Sequence, residues 1–584
     1  MKKTLLTLLL LAATILPAAA YDFSAVAPSG QTLYYNIINA DVQVVPQANA
    51  PVYIENGVSH FYGAGEPTNS LEIPSSVVYN GNSYSVTSIG DNAFHGCIGL
   101  TGTIVIPNSV TSIGQYAFSD CRSLTSIIIG NSVTYIGEEA FGSCSGLTSI
   151  IIGNSVTSIG NSAFYGAGVT SLTIPASVIS IGSNAFENCP IQTLNYNGPN
   201  AYLSKSVFGS NLVDVTIGGN VDTIINNAFQ NCSSLTTISI PNSLNAIGNS
   251  AFSGCTGLTD INIPNNLTTI GSSAFYGCTG LTSLTIPASV SSIGPDAFSN
   301  CSIQTLHYNA DSCCLTSAVF GNQLITVNIG ENVRYIPDYA FQACSGLTSV
   351  SLPGNLVGIG AYSFQNTGIT AINLPNTLVS IGDFAFQYTG ITALTIPNSV
   401  TSLGSCAFSG CSDMTSLTIG SGLTSISGGA FQYCSSLPTV NIPSNITAIG
   451  GRAFSDCTGL SGTLTIPNSV HQIGNGAFDY CTGITTLNLG NSVETIGSLT
   501  FSCCSSLVSL VIPNSCTSLG ASAFSGCSGL TSAVLGDGVR TIGSDAFGGC
   551  LRLTSVQFGE SLEEIGNDAF SQCGIIGHVI SRRV

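Results

Sequence analysis

Residues 123–144 read Ser-Leu-Thr-Ser-Ile-Ile-Ile-Gly-Asn-Ser-Val-Thr-Tyr-Ile-Gly-Glu-Glu-Ala-Phe-Gly-Ser-Cys, and close variants of this stretch fill most of the 584-residue chain. Its most regular mark is an Ala-Phe pair with a Cys three residues after the Phe. The marked Phe recurs every 21 to 24 residues, most often after 23, from Phe94 to Phe570. Self-similarity at this period predicts a solenoid, in which one unit buries its apolar side only when neighbouring units stack on it.

Eight apolar positions of this stretch are expected to face inward. Leu124, Ile127 and Ile129 have a spacing of three and then two residues, which predicts one strand per coil. Val133 and Ile136 predict a second, shorter extended piece. The Ala, Phe and Cys at positions 140, 141 and 144 predict a single helical turn, because residues three apart share a helical face.

Stacking of coils places each inward side chain next to its counterpart, so the core is expected to consist of ladders. Burying one Phe, Leu or Ile stabilises the fold by roughly 1.5–3 kcal/mol, and a single coil has little stability of its own. The Phe and Cys ladders are expected to include Phe141, Cys144, Phe164, Phe252, Cys255, Phe275, Cys278, Phe524 and Cys527.

Short polar residues precede most Ala-Phe pairs, as in Asn161-Ser162 and Asn249-Ser250. Such residues favour the start of a helix, where a side-chain oxygen accepts from free backbone N–H groups. The neighbouring carboxylates Glu138 and Glu139 resemble a catalytic pair. We interpret them as helix caps, because the residue type at these positions changes freely from unit to unit.

The chain order predicts three segments. Residues 1–20 contain Lys2, Lys3, a Leu-rich run and a small-residue end, which predicts a secretory signal peptide cleaved near Ala20. Residues 21–70 lack the repeat and predict a β module that caps the first coil. Residues 71–584 form the solenoid as one elongated domain, with a hairpin at Tyr79–Tyr84 and a degraded last coil at 574–584.

Two units, 190–212 and 302–324, resemble each other more than their neighbours. They carry Tyr196, Tyr202, His307 and Tyr308, residue types that suit binding surfaces. The four residues form the candidate binding patch, and the alternative is harmless variation of a loop.

Charge excludes some partner classes. The net charge is −18, and removal of residues 1–20 takes away two Lys and no acidic residue, which makes it −20. Nucleic acid and anionic membranes are therefore not expected partners. No later apolar run approaches the ~20 residues that a membrane-spanning helix needs.

The 22 cysteines of this predicted exported chain suggest disulfides at first sight. Seventeen of them, however, occupy the repeated post-Phe position, which faces inward. There Cys acts as a small buried hydrophobic residue. We therefore expect buried free thiols, with isolated pairs among Cys313, Cys314, Cys406, Cys503 and Cys516 as the exception.

Sites for catalysis, cofactors or metals are not expected. The five His are scattered and have no Cys or carboxylate partner at metal-ligand spacing. The glycine-rich turns include no phosphate loop with a Lys, and no Ser has His and Asp around it in a known motif. An enzyme is therefore not expected.

The phrase Leu-Thr-Ser-Ile-x-Ile-Pro-Asn-Ser-Val-Thr-Ser-Ile-Gly-x-x-Ala-Phe-x-Gly-Cys, carried with small changes by residues 394–411 and 530–550, resembles the BspA-like, or Treponema-type, class of bacterial leucine-rich repeats. The resemblance covers about residues 71–573. It implies an α/β repeat solenoid, a right-handed leucine-rich-repeat superhelix of about 22 coils of about 23 residues. The parallel β-sheet would line the concave face, with short strands and single helical turns on the other face.

The same resemblance implies a secreted or cell-surface protein of a host-associated bacterium. Its expected function is adhesin-like protein binding, with host extracellular-matrix or surface proteins, or other bacterial surface proteins, as partners. The outward residues of the strands would bind, and their Ser, Thr and Asn content predicts weak, multivalent contact. Two alternatives are a structural spacer of the cell envelope and a glycan-binding protein. The oligomeric state stays open.

Overall fold

A computed structural model describes residues 22–38, 40–45, 52–55, 58–61, 67–311, 313–315 and 319–575. The described residues fall into two compact units, one up to Val221 and one from Asp222 onward. The predicted signal peptide and most of the predicted degraded last coil lie outside the described residues.

The first unit begins with a β meander. Strands Phe23–Val26, Thr32–Ile38 and Asp41–Val45 pair antiparallel, and Asp41–Val45 also pairs parallel with Asn82–Ile89. This parallel pairing attaches the meander to the solenoid.

The predicted hairpin is confirmed, because Ser76–Tyr79 pairs antiparallel with Asn82–Ile89. Its two turn residues, Asn80 and Gly81, have φ values of 51° and 79°, as a tight two-residue hairpin turn requires. Strands Val52–Glu55 and Val58–Phe61 form a further antiparallel pair.

Each coil contributes to one or both of two parallel strand arrays. The first array contains the Leu-x-x-Ile strands, and the second contains strands that end in Ile or Leu, with a Gly next in most coils. In the first unit, the first array consists of Gly102–Val105, Leu124–Ile128, Ser149–Ile151, Ser171–Ile174, Thr193–Tyr196 and Asp214–Ile217. The second array there consists of Asn82–Ile89, Ser112–Ile113, Tyr135–Ile136, Ser158–Ile159 and Ser180–Ile181.

The second unit repeats both arrays. Its first array consists of Thr237–Ser239, Ser283–Ile286, Thr305–Tyr308, Thr326–Ile329, Ser349–Ser351, Ala393–Thr395, Ser416–Thr418, Ser461–Thr465, Gly483–Asn488, Ser509–Val511, Ser532–Val534 and Ser555–Gln557. Its second array consists of Thr223–Ile224, Ala246–Ile247, Thr269–Ile270, Ser292–Ile293, Cys314–Leu315, Tyr335–Ile336, Gly358–Ile359, Ser380–Ile381, Ser402–Leu403, Ser425–Ile426, Ala448–Ile449, Gln472–Ile473, Thr495–Ile496, Ser518–Leu519, Thr541–Ile542 and Glu564–Ile565.

Strands one period apart pair in parallel and in register, as Ile127 with Ile150 and Ile136 with Ile159 show. The Ile-Gly dipeptide that ends most second-array strands permits this close stacking. A Cβ on Gly137 would lie 2.6 Å from the carbonyl oxygen of Gly114 in the preceding coil. The predicted parallel solenoid is therefore confirmed, with about 21 turns and almost no helix.

The core consists of ladders of identical or similar side chains. All eight inward positions of residues 123–144 are buried, from Leu124 to Cys144. Phe141 stacks on Phe118 and Phe164, with ring centroids 5.2 and 5.1 Å apart. Offset stacking of this kind adds about 0.5–1.5 kcal/mol per pair beyond the burial of area.

The Ala-Phe turn is not the helical turn that the sequence predicts. Glu139, Phe141 and Ser143 donate their backbone N–H groups to carbonyls of the next coil, at 2.9, 2.7 and 2.6 Å. Glu139 and Ser143 adopt φ values of 48° and 57°. These left-handed residues turn alternate N–H groups toward the neighbouring coil, and a helix would bond them within its own turn. The described residues contain one α-helix, Lys205–Phe208, in an irregular unit.

The helix-cap interpretation of the polar residues is also wrong, because most of these turns contain no helix to cap. The first polar residue of the pair instead accepts a hydrogen bond from a backbone N–H group of the next coil. Asn161 accepts from the backbone N–H of Ser183 at 3.0 Å, and Asn249 accepts from that of Ser272 at 2.8 Å. A short side chain with an oxygen acceptor is needed here, which explains the choice of Asn and Asp.

The cysteine side chains that the structure describes are not joined in disulfides, and every post-Phe Cys except Cys573 is buried. Most ladder thiols donate to the carbonyl of a Phe in the preceding coil, as Cys144 does to Phe118 at 3.1 Å. Burial raises the pKa of the Cys144 and Cys189 thiols to about 12. The prediction of buried thiols outside disulfides is confirmed for these residues.

Candidate interaction surface

The outward face of the first array carries side chains that could meet a partner. In strand Leu124–Ile128, the buried Leu124 and Ile127 alternate with less buried residues, among them Ile128. The register places Ile128 between Val105 and Ile151 of the neighbouring strands. Val105 is 50% exposed and Ile151 is 53% exposed. We call Val105, Ile128 and Ile151 the isoleucine strip.

The second unit has a similar feature, which we call the valine strip: Val508, Val511 and Val534. Val511 pairs in register with Val534, and all three side chains are exposed, Val511 by 60%. A shallow depression adjoins the strip and is lined by Thr486, Leu487, Asn488, Leu489, Asn491, Ser509, Val511 and Pro513. Apolar side chains beside polar amides provide both contact area and hydrogen-bond partners for another protein.

Beside the strips, hydroxyl groups are engaged within the solenoid. The Thr125 hydroxyl donates to the carbonyl of Gly102 at 2.9 Å, and that of Thr148 donates to the carbonyl of Thr125 at 3.3 Å. A partner would have to replace such bonds to use these donors. A partner that covers the apolar strips would release water from apolar surface without breaking these hydrogen bonds. The strips are therefore the favoured contact points of this face.

The candidate binding patch inferred from the sequence is wrong for two of its four residues. Tyr196 and Tyr308 are fully buried. The parallel register aligns Tyr196 with Ile174 and Ile217, so its ring occupies the inward Ile column. Tyr308 occupies the same column in the second unit. The spacing of three and two residues in Ile191, Leu194 and Tyr196 was a signal for this burial.

The other two residues reach the surface in different units. Tyr202 ends the short 3₁₀ helix Asn200–Tyr202 of the first unit and is partly exposed. His307 is exposed on the outward face of strand Thr305–Tyr308 in the second unit. The predicted patch is therefore not one surface within either unit.

The isoleucine strip was missed although the sequence contains a signal for it. Ile127, Ile128 and Ile129 are consecutive, and alternate residues of a strand face opposite sides. One of three consecutive apolar residues must therefore face outward. The same argument applies to Leu510, Val511 and Ile512.

Within the described ranges, the structure contains no helix long and apolar enough to cross a membrane. In the same part of the chain, no group of three or more His, Cys, Asp and Glu residues is arranged to hold a metal ion.

Comparison with known structures finds bacterial leucine-rich-repeat proteins. One, from Bacteroides ovatus, is 28% identical, covers 77% of this chain and 95% of its own, and has a TM-score of 0.37. A leucine-rich cell surface protein from Faecalibacterium prausnitzii is 21% identical, covers 80% and 95%, and has a TM-score of 0.21. A leucine-rich-repeat protein of T. pallidum is 22% identical, covers 39% and 88%, and has a TM-score of 0.27. No curated protein matches the chain.

A family model of the BspA type leucine-rich repeat region matches residues 60–193, 201–326, 281–389, 334–461 and 460–576. These matches cover nearly the whole repeat region and agree with the parallel coils described above. The chain belongs to the BspA-type leucine-rich-repeat family.

Proposed function

We propose that this protein is exported and acts on the cell surface or outside the cell as a scaffold that binds other proteins. Its partners would be host extracellular-matrix or surface proteins, or surface proteins of other bacteria, and its role would be adhesin-like. Membership of the family supports protein binding and a surface role. The proposal assigns no catalytic activity.

The observation that carries the proposal is the pair of exposed apolar strips on the outward face of the first array. Scattered single apolar residues are normal on a protein surface, whereas aligned ones form a contiguous patch. Ile151 and Val511 each lie next to another outward apolar side chain on a neighbouring strand. Patches of this kind suit the buried centre of an interface, and the surrounding Ser, Thr and Asn suit its polar rim.

The test is a binding assay with residues 21–584 against immobilised matrix proteins and whole bacterial cells. Ile151→Thr and Val511→Thr together should weaken binding to any captured partner by about tenfold, since each buried apolar side chain contributes on the order of 1 kcal/mol. Thr already occupies the corresponding outward position at Thr173, so the coil tolerates it.

The matched control is Thr173→Ala, a change on the same face outside the isoleucine strip. It should leave binding unchanged. Equal binding by the strip variant and the control would contradict the use of this face. If no protein is captured from either source, the adhesin-like role itself is wrong.

A structural role in the cell envelope is the second candidate. The observation that favours it is that many polar side chains bond neighbouring coils, as Asn161, Thr148 and Cys144 do. Such bonding suits a spacer, which must resist deformation and needs no partner. A spacer would show no saturable binding in the assay above.

A further inference from the structure

An aromatic ladder lies on the turn side of three successive coils of the second unit, separate from the strand arrays. Tyr339, Tyr362 and Phe384 each stand two residues before the marked Phe of their coil. Their rings stack with centroids 5.1 and 4.8 Å apart and interplanar angles of 7° and 15°. All three are partly exposed, so the ladder presents an apolar wall to solvent.

A fourth exposed aromatic residue belongs to the last of these three turns. Tyr388 is 54% exposed and follows Phe384 in the same turn. Its ring lies against Gly410 of the next coil, where any side chain would collide with the ring. The absence of a side chain at position 410 therefore allows the Tyr388 ring to lie along the surface. We call Tyr339, Tyr362, Phe384 and Tyr388 the aromatic wall.

A ladder of glutamine side chains runs beside the aromatic ladder. The Nε2 group of Gln342 donates to Oε1 of Gln365 at 2.7 Å, and that of Gln365 donates to Oε1 of Gln387 at 2.6 Å. Each Gln is joined to the aromatic residue of its own turn by a backbone bond, as Gln365 is to Tyr362 at 3.2 Å. An amide oxygen has two lone pairs, so these carbonyls retain the capacity to accept another donor.

The three turns that carry the two ladders contain acidic side chains and no basic ones, and the nearest preceding basic residue in the sequence is Arg334. Asp338 and Asp383 are exposed, and each directly precedes an aromatic residue of the wall. The sequence contains no Lys, Arg or His between Tyr335 and Gly451. A partner at this surface therefore meets carboxylates, amide oxygens and aromatic rings, with no basic side chain of this stretch to repel a cation.

We propose that the aromatic wall, the glutamine ladder and the two carboxylates form a docking surface for an arginine-bearing segment of another protein. The guanidinium group is planar, stacks on aromatic rings and carries five N–H donors, so it can satisfy a ring, an amide oxygen and a carboxylate together. A lysine ammonium group offers the charge without the planar stacking. The proposal deepens the proposed function by naming the chemistry of a partner, and it rests on that function.

The test measures binding of the intact chain to a short oligo-arginine peptide by calorimetry, beside oligo-lysine and oligo-glutamate peptides of equal length. Oligo-arginine should bind more tightly than oligo-lysine, and oligo-glutamate should not bind. The triple variant Tyr362→Ala, Phe384→Ala and Tyr388→Ala should lower the affinity for oligo-arginine by about tenfold or more, since each exposed cation–π contact is worth roughly 0.5–1 kcal/mol.

The matched control is the double variant Tyr165→Ala and Tyr276→Ala. These tyrosines are also exposed on turns, where they accept hydrogen bonds from Asn188 and Asn300. The control should leave the affinity for oligo-arginine unchanged. Circular dichroism and thermal melting of each variant establish that it is folded.

A second variant tests the charge without disturbing the ladders. Asp338→Asn and Asp383→Asn keep the oxygen that accepts from Ala361 and Ser405 of the next coil, as Asn161 does elsewhere. Binding of oligo-arginine should weaken and become less dependent on salt, because two carboxylates are lost.

Equal affinity for the arginine and lysine peptides, together with equal affinity of the triple variant and its control, would show only general attraction to an acidic protein and would overturn the proposal. Self-association that the triple variant abolishes would assign the surface to a second copy of the chain and would also overturn it. The strip variant Ile151→Thr and Val511→Thr should bind oligo-arginine with unchanged affinity, because its substitutions lie on the strand face. The binding test of the proposed function and the oligo-arginine test can therefore fail independently of each other.

Discussion

The regular coil of residues 123–144 and the irregular coil of residues 190–212 build the same core with different side chains. Ile129 fills the inward column in the regular coil, and Tyr196 fills it in the irregular coil. Both coils pair in parallel with their neighbours. The strand register therefore decides which side chains of a coil are buried. The size of the buried side chain decides how the connection that follows the strand must differ.

The irregular coil adapts its connection to the larger ring. The second strand is absent from its described residues, and the chain forms the short helices Asn200–Tyr202 and Lys205–Phe208 instead. The Tyr196 hydroxyl donates to the carbonyl of Pro199 at 2.5 Å, and the ring packs edge-on against Phe208 at 5.6 Å. Phe208 still stacks on Phe186, so the Phe column continues into the irregular coil.

The largest effect is expected at alkaline pH, because thiols of many regular coils respond together. Burial raises the pKa of Cys144 from 9.0 to about 12, so folding favours the neutral thiol. That stabilisation is fully present below pH 9 and is lost as the pH rises toward about 12. Far-UV circular dichroism across this range should show unfolding, whereas a pH-independent spectrum would contradict it.

The irregular coil has no Cys after Phe208, so it lacks the post-Phe thiol to which we attribute the loss of stability at alkaline pH. Removing such a thiol from a regular coil tests this attribution. Cys144→Ala removes one thiol from a regular coil and should reduce the loss of stability at alkaline pH. It should cost about 1 kcal/mol at neutral pH, where the bond to the carbonyl of Phe118 is lost.

Phe141→Ala should have the largest effect of any single substitution at neutral pH. It leaves a cavity between two stacked rings and should lower the free energy of unfolding by about 3–5 kcal/mol, measured by urea denaturation. Phe208→Ala should cost less, because Phe208 stacks on Phe186 at an interplanar angle of 23° and meets Tyr196 only edge-on. Phe141, by contrast, lies between two nearly parallel rings, at 4° and 5°. Equal losses for the two variants would mean that the irregular coil packs as tightly as the regular one.

Tyr196→Ile converts the irregular coil toward the regular pattern. We expect a loss of about 2 kcal/mol, because Ile is smaller and leaves the carbonyl of Pro199 without its donor. Tyr202→Phe in the same coil serves as the control and should change the urea midpoint very little. A stabilised Tyr196→Ile variant would show that the helical connection does not require the ring.

Asn161→Ala should have the smallest effect, about 0.5–1 kcal/mol, because the bond to Ser183 lies at the exposed edge of the turn. Asn161→Asp should restore most of this loss, since Asp383 makes the same bond to Ser405. Thermal melting measures both variants. No loss in Asn161→Ala would mean that water replaces the Asn oxygen fully.

The turn shows where sequence reasoning failed and why. The three-residue spacing of Phe141 and Cys144 is compatible with a helical turn and also with the observed inter-coil ladder, because both place the two side chains inward. The difference lies in the partner of each backbone N–H group, and that partner belongs to another coil. Positive φ values at Glu139 and Ser143 are not favoured by those residue types, and they persist because the neighbouring coil supplies the acceptors.

The sequence by itself determined the period, the parallel stacking and the eight inward positions, because these depend on a pattern that each unit carries locally. The burial of the ladder thiols outside disulfides also followed from their place in that pattern. Only the tertiary structure decided the bonding of the turns, the burial of Tyr196, the alignment of the apolar strips and the stacking of the aromatic wall. Each of these depends on which residue of one coil lies beside which residue of the next, and that relation exists only after the coils have stacked.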